Sequence, residues 1–249
     1  MNLTMKYMHS LSSFLAPVLR TLLVTSIALA AVAATAQEAA IRKNLAERMP
    51  EFQKIDEVTL TAMPGIYEVR MDSNLFYTDA KGAYIIQGEM MDVNQKRNLT
   101  AERMDKLNAI DFNALPLKDA FTIVRGNGKR KLAVFEDPNC GYCKRFERDL
   151  QSLDNVTVHM FLYPILGNDS VEKSRAIWCA KDREGAWLDW MVRDKPPASA
   201  SAKCDTSAIS RNVEFGKKHR ITGTPTLIFA DGSRVPGAIP AAQVEQRLK

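Results

Sequence analysis

Two cysteines three apart, Cys140-Gly141-Tyr142-Cys143, stand between a run that reads as a buried strand and a run that reads as a helix. Leu132 to Phe135 has the unbroken hydrophobicity of a strand covered on both faces. After Glu136-Asp137-Pro138-Asn139, the spacing of Phe146, Leu150 and Leu153 is helical. Val156 to Tyr163 is a second covered strand, which makes a strand-helix-strand unit, and Leu227 to Phe229 is a third. Phe121 to Val124 and the turn Gly126-Asn127-Gly128 precede this unit. The unpaired N–H groups and the dipole of a helix start favour an anion, so Cys140 is expected as a thiolate, with Lys144 and Arg145 adding positive charge. The spacing lets Cys143 turn back and close a disulfide within one helical turn.

The other cysteines, Cys179 and Cys204, leave three readings open. All four could bind one zinc ion as thiolates, but structural zinc sites usually bring a second close pair, and these two are 25 apart in sequence. They could form a second redox centre, although nothing near them in sequence would lower a thiol pKa. A structural disulfide is the economical reading. Cys179 falls on the apolar face of a helix opened by Asp169-Ser170, where Asp169 and Glu172 fit a capping box, and Cys204 follows the Pro196 to Ala202 loop. A Cys-His hydrolase fits poorly. Beyond the leader described next, the histidines are His159, inside an apolar strand, and His219, in the basic run Lys217 to Arg220.

The compartment is expected from the N-terminus. Lys6 and Arg20 flank a stretch that becomes the apolar run Thr21 to Ala34, and Ala34-Thr35-Ala36 offers small residues for cleavage. At about 14 residues the run is shorter than the roughly 20 a membrane span needs, so residues 1–36 are expected to be a secretory signal peptide. Losing Lys6 and Arg20 takes the formal charge from +5 to +3, which weakens any argument from the basic balance, and no nucleic-acid partner is expected. Export also permits stable disulfides.

From Ala39 to Met49 the pattern is that of a short amphipathic helix. Ile55 to Leu60, Ile66 to Val69, Leu75 to Thr78 and Tyr84 to Gln87 then read as strands, with a hairpin turn over Thr78 to Gly82. Such a meander has a free edge that invites pairing with a second copy. Asn98 to Leu115 reads as a polar linker helix closed by Pro116. Farther on, Thr222-Gly223-Thr224-Pro225 precedes the strand Thr226 to Phe229. A proline entering an apolar strand begins it or follows a cis bond, and either leaves Thr224 backbone groups free to hold an extended peptide.

Cys140-Gly141-Tyr142-Cys143, Ile177-Trp178-Cys179-Ala180-Lys181-Asp182, Gly223-Thr224-Pro225 and Val235-Pro236-Gly237 together resemble the bacterial periplasmic protein disulfide isomerases of the DsbC type, within the thioredoxin-like superfamily. The likeness continues through Tyr84-Ile85-Ile86-Gln87-Gly88 and Leu107-Asn108-Ala109. It implies a mixed α+β and α/β chain: a small cystatin-like dimerisation domain over 37–97, a linker helix over 98–115 and a thioredoxin-like catalytic domain with a helical insertion over 116–249. The implied function is thiol:disulfide interchange that reshuffles incorrect disulfides in the periplasm. Cys140 and Cys143 would be catalytic, and Gly141, Tyr142, Thr224 and Pro225 would hold substrate. Pro225 would be cis, and Cys179 and Cys204 would form the structural bridge. The implied partners are a second copy in a V-shaped homodimer, misfolded disulfide-containing exported proteins in its cleft, and an inner-membrane reductase of the DsbD type. No metal or cofactor is implied. Two departures from thioredoxin stand out: Asn139 replaces a Trp, and Val134 replaces a buried Asp that assists the second cysteine. A monomeric dithiol oxidant or reductase, and a holdase without thiol chemistry, are the competing classes; sedimentation separates the first, and a Cys140 variant that still suppresses aggregation reveals the second.

Overall fold

The computed structural model describes residues 35–72 and 74–248, and contacts divide the chain into two compact units between Met104 and Asp105. Residues 1–34, nearly all of the leader expected over 1–36, lie outside the described residues.

In the first unit, helix α1 (35–48) buries Ile41 and Leu45 against an antiparallel sheet of β1 (Glu57–Leu60), β2 (Ile66–Met71), β3 (Asn74–Asp79) and β4 (Ile85–Ile86), in that spatial order. Phe52, Val58 and Val69 complete this small core. The expected hairpin forms because the Asp79 carboxylate accepts the N–H groups of Lys81, Ala83 and Tyr84, while Gly82 takes a positive φ of 58°. The strand expected over Tyr84 to Gln87 is reduced to Ile85 and Ile86. A two-residue hairpin, β5 (Met91–Asp92) and β6 (Arg97–Asn98), follows it; its pairing is too short to leave a periodic signal. Arg103 of α2 (Leu99–Asn108) ties helix to sheet through Glu57 and Glu68.

The helix expected to run to Leu115 ends at Asn108. Beyond it the Asp111 side chain accepts the Asn113 N–H and starts a separate turn, Phe112–Ala114. Pro116, with no N–H to continue a ladder, then leads into a second turn, Leu117–Asp119.

The second unit is built on β7 (Phe121–Arg125), β8 (Arg130–Glu136), α3 (Gly141–Leu150), β9 (Val156–Leu162), α4 (Asn168–Trp178), α5 (Arg183–Met191), α6 (Ser207–Lys218), β10 (Thr226–Phe229), β11 (Arg234–Pro236) and α7 (Ala241–Arg247). The sheet order is β11-β10-β8-β9-β7; β8 and β9 are parallel, with Val134 opposite Met160, and the other pairs are antiparallel. Alternation along β8 sends Leu132 and Val134 into one core with Cys143, Phe146 and Trp187, and Ala133 and Phe135 into the other with Phe161, Tyr163 and Ile228. Strands covered on both faces account for the continuous apolar runs seen in sequence.

Helices α4, α5 and α6 form the insertion between β9 and β10. The capping box expected at Asp169 is absent. Gly167 is the N-cap of α4, and the Asp169 carboxylate instead accepts Asn139 Nδ2 at 2.7 Å and pairs with Lys173. Cys179 closes α4 and is joined to Cys204 by a disulfide, so neither is available as a thiolate ligand.

Replacing both Cys179 and Cys204 with Ser releases a loop of 25 residues. Denaturant unfolding of the double variant should show a loss of about 3 kcal/mol, with alkylation of the remaining thiols unchanged. A Cβ on Gly216 would meet Tyr163 Cε2 at 2.3 Å, so Gly216→Ala should lower the unfolding free energy by about 1–3 kcal/mol in the same measurement.

Candidate active site

Helix α3 begins where β8 ends, so the chain must turn sharply between them. Cys140 is the N-cap of α3 in an extended conformation, and its Sγ accepts the Cys143 N–H at 3.2 Å. The sulfur therefore occupies the place that a serine or aspartate oxygen fills at ordinary helix starts. As a thiol, Cys140 donates to the Thr224 carbonyl at 3.3 Å, which places the Thr224-Pro225 loop directly against it. The Thr224–Pro225 peptide bond is cis. The loop is fastened from both sides: Thr226 Oγ1 donates to the Gly223 carbonyl at 2.8 Å, and the Gly237 N–H to the Pro225 carbonyl at 2.8 Å.

The two thiols are electrostatically opposite. Cys140 is lowered to about 6, first by its hydrogen bond with the Cys143 side chain and further by the Thr224 side chain and the N–H groups of Cys143 and Tyr142, which together outweigh its partial burial. Cys143 is fully buried, and burial, the Cys140 bond and the nearby Glu136 all push its thiol far up. One sulfur is thus an anion at neutral pH and the other holds its proton.

Lys144 and Arg145 do not serve as expected. Lys144 pairs with Asp194 at 2.6 Å and lies 3.8 Å from the centre of the Trp190 ring, while the Arg145 guanidinium lies over Tyr142. Hydrogen bonds, not these cations, are the main causes of the low Cys140 value. Of the other expected residues, Gly141 and Tyr142 are exposed beside Cys140, and a Cβ on Gly141 or Gly223 would meet nothing within 4 Å. Open backbone thus lies next to Cys140 at Gly141 and next to Thr224 at Gly223.

Several neighbours escape sequence reasoning. Asp137 is wholly buried and its carboxylate accepts four hydrogen bonds: from the N–H groups of Asn139, Ile165 and Leu166, and from Ser170 Oγ, all within 2.9 Å. It ties the cysteine loop to the segment after β9. The Asp-Pro-Asn sequence signals only the Asn139 contact, because the other partners are 28 to 33 residues away. Trp190 Nε1 donates to the Pro138 carbonyl at 2.6 Å, bracing the same loop from α5. Beneath Cys143 lie two buried acids, Glu136 at the end of β8 and Glu147 one turn along α3, and burial holds both carboxyls above their usual range.

Comparison with known proteins agrees with this geometry. The thioredoxin-like domain family matches residues 117–249, and the disulfide bond isomerase protein N-terminal domain family matches residues 32–101. A probable thiol:disulfide interchange protein DsbC from Bordetella parapertussis is 42% identical over 213 residues, covering 85% of this chain and 74% of that protein. The thiol:disulfide interchange protein DsbC of Escherichia coli is 29% identical over 222 residues, covering 86% and 89%. The crystal structure of a disulfide interchange protein from Neisseria gonorrhoeae superimposes with a TM-score of 0.50 at 40% identity, covering 53% of this chain and 94% of that one. A cysteine pair poised at a helix start, in a chain that matches these relatives through both of its units, places the protein in the DsbC family of thiol:disulfide interchange proteins.

Proposed function

We propose that this protein reshuffles incorrect disulfides in exported proteins, with Cys140 as attacking thiolate and Cys143 as resolving thiol. The observation that carries this reading is two thiols at one helix start, Cys140 capping the helix beside Thr224 and Cys143 wholly buried one turn in, with the first thiol lowered and the second raised. Lowering a thiol from about 8.5 to about 6 raises its thiolate fraction at pH 7 roughly thirtyfold. Intrinsic nucleophilicity falls about 10- to 18-fold at the same time, so attack gains only about two- to threefold. Departure gains more, because a stabilised thiolate is the better leaving group from a mixed disulfide. Easy release lets a substrate leave once its own thiols have found better partners.

Cys143 is held back until needed. While Cys140 is free, its sulfur helps keep the Cys143 proton in place. Once Cys140 is bound in a mixed disulfide, that influence is gone and Cys143 becomes easier to ionise. The Cys143 sulfur then attacks Cys140 Sγ, the bond to substrate breaks, and its electron pair leaves on the substrate sulfur. Gly141, Tyr142, Thr224 and Pro225 hold an extended substrate segment, supported by the open backbone around Cys140 and the closeness of Thr224.

The first unit supplies the surface for a second copy. The β4 edge is short, and Tyr84 and Ile86 beside it are exposed, so pairing there yields a homodimer. The leader over 1–36 directs the chain to the periplasm, where an inner-membrane reductase of the DsbD type returns the cysteines to thiols. Among the described residues no helix is long and apolar enough to cross a membrane.

The purified chain without its leader should reactivate a substrate with scrambled disulfides under mildly reducing conditions, and Cys140→Ser should abolish this. Equal inactivity of both would reject the reading. The alkylation rate of Cys140 should rise with pH through about 6 and level above about 7, with Cys143 unreactive across that range. Sedimentation should give twice the monomer mass.

A further inference from the structure

Trp190 stands near the end of α5, and its indole N–H is committed to the Pro138 carbonyl of the cysteine loop at 2.6 Å. That bond fixes the ring, and two lysines use its face. The Lys144 ammonium lies 3.8 Å from the ring centre and the Lys173 ammonium 4.9 Å. Two like charges can share one indole because each also has a carboxylate, Asp194 for Lys144 at 2.6 Å and Asp169 for Lys173. Both lysine side chains are only 20% exposed, so their stems pack against protein.

The place of Lys144 in the chain makes this arrangement consequential. Its N–H closes the first turn of α3 on the Cys140 carbonyl at 3.0 Å, so the two residues are neighbours one turn apart. At that spacing a flexible four-carbon stem brings an ammonium to the capping sulfur, and a cation there stabilises the thiolate. The ammonium is instead on Trp190 and Asp194, and Lys144 is not among the groups that lower Cys140. The other charged groups near the sulfur are also engaged or offer no positive charge. Arg145 lies over Tyr142, Arg148 turns to Asp194 at 3.5 Å, and Glu136 of β8 is a buried acid.

We propose that Trp190 is a positioning residue that, with Asp194, parks the Lys144 ammonium away from the Cys140 sulfur and so keeps the cysteine pair from becoming a strong oxidant. The inference rests on the exchange role given above and deepens it by naming what sets the balance between reshuffling and oxidation. Every further stabilisation of the Cys140 thiolate favours the dithiol over the Cys140–Cys143 disulfide. A pair with too stable a dithiol closes substrate disulfides readily, but the escape step, in which Cys143 closes on Cys140, becomes unfavourable. The balance is read against glutathione. Two glutathione thiols reduce the Cys140–Cys143 disulfide and form one glutathione disulfide. Of their two protons one goes to Cys143 and one to water, and Cys140 is left as the thiolate.

The rate of Cys140 alkylation against pH gives its ionisation midpoint, and equilibration with glutathione gives the redox balance. The double variant Trp190→Leu/Asp194→Asn frees Lys144. Its midpoint should fall by about half a unit or more, with the dithiol favoured at least about threefold more at pH 7. Adding Lys144→Met to that variant should restore both values. A double variant without these shifts overturns the parking, and so does a shift that survives Lys144→Met, because it then comes from a loosened loop. Lys144→Met in the otherwise unaltered chain decides the matter even if the double variant does not fold. A midpoint within about 0.2 unit of the unaltered protein supports a parked cation, and a rise of about half a unit or more shows that Lys144 already holds the thiolate and rejects it. Reactivation of a scrambled substrate by the unaltered protein tests the isomerase reading separately, and its failure leaves these midpoints able to decide the parking.

Discussion

The place of the Cys140 sulfur at the start of α3, within reach of the Cys143 side chain and accepting the Cys143 amide at 3.2 Å, is what the chemistry turns on. It makes a cysteine the cap of α3, and a cap accepts from orphan N–H groups that have no other partner in the helix. The Cys143 side chain first, and then Thr224 and these N–H groups, stabilise the sulfur as an anion. The same helical turn carries Cys143 inward, out of water, where an anion is costly. One backbone geometry thereby separates two chemically identical side chains into a thiolate and a guarded thiol.

That geometry survives only if the loop ahead of α3 stays still. Asp137 provides most of the restraint, since a buried carboxylate with four donors is fully satisfied only in one arrangement of the cysteine loop and the segment after β9. Trp190 braces the Pro138 carbonyl from the insertion, and Lys144 covers the Trp190 ring instead of facing the thiolate. The disulfide between Cys179 and Cys204 ties the far end of α4 to the chain that leads into α6. The insertion thus acts as scaffolding for the cysteine loop.

Much of this was legible in the sequence where the signal is local. The covered strands β8 and β9 appear as unbroken apolar runs, and the cysteine pair falls at the start of a helix whose period is visible in Phe146 and Leu150. Gly223-Thr224-Pro225 stands out because proline rarely enters an apolar strand. Other features depart from the local pattern for physical reasons. Lys144 and Arg145 lie near the thiolate in sequence, but their long side chains find Asp194, Trp190 and Tyr142 instead. Asp169 has the sequence setting of a helix cap, but Asn139 and Lys173 claim its carboxylate. The hairpin of β5 and β6 is too short to have a period at all.

Sequence by itself determined the alternation and apolar runs that demand a two-faced sheet, the helix that starts at the cysteines, and the residue types able to exchange disulfides, because these depend on neighbours within one or two turns of chain. Tertiary structure alone decided what surrounds those cysteines. Glu136 and Glu147 are ordinary charged residues in the sequence, and only the docking of α3 on β8 buries both together beside Cys143. The two come from different elements, and the Trp187 indole of a third donates to one oxygen of Glu147. Contacts of that kind follow from packing across long stretches of chain, where burial sets the charge a group can carry, and no local pattern records them.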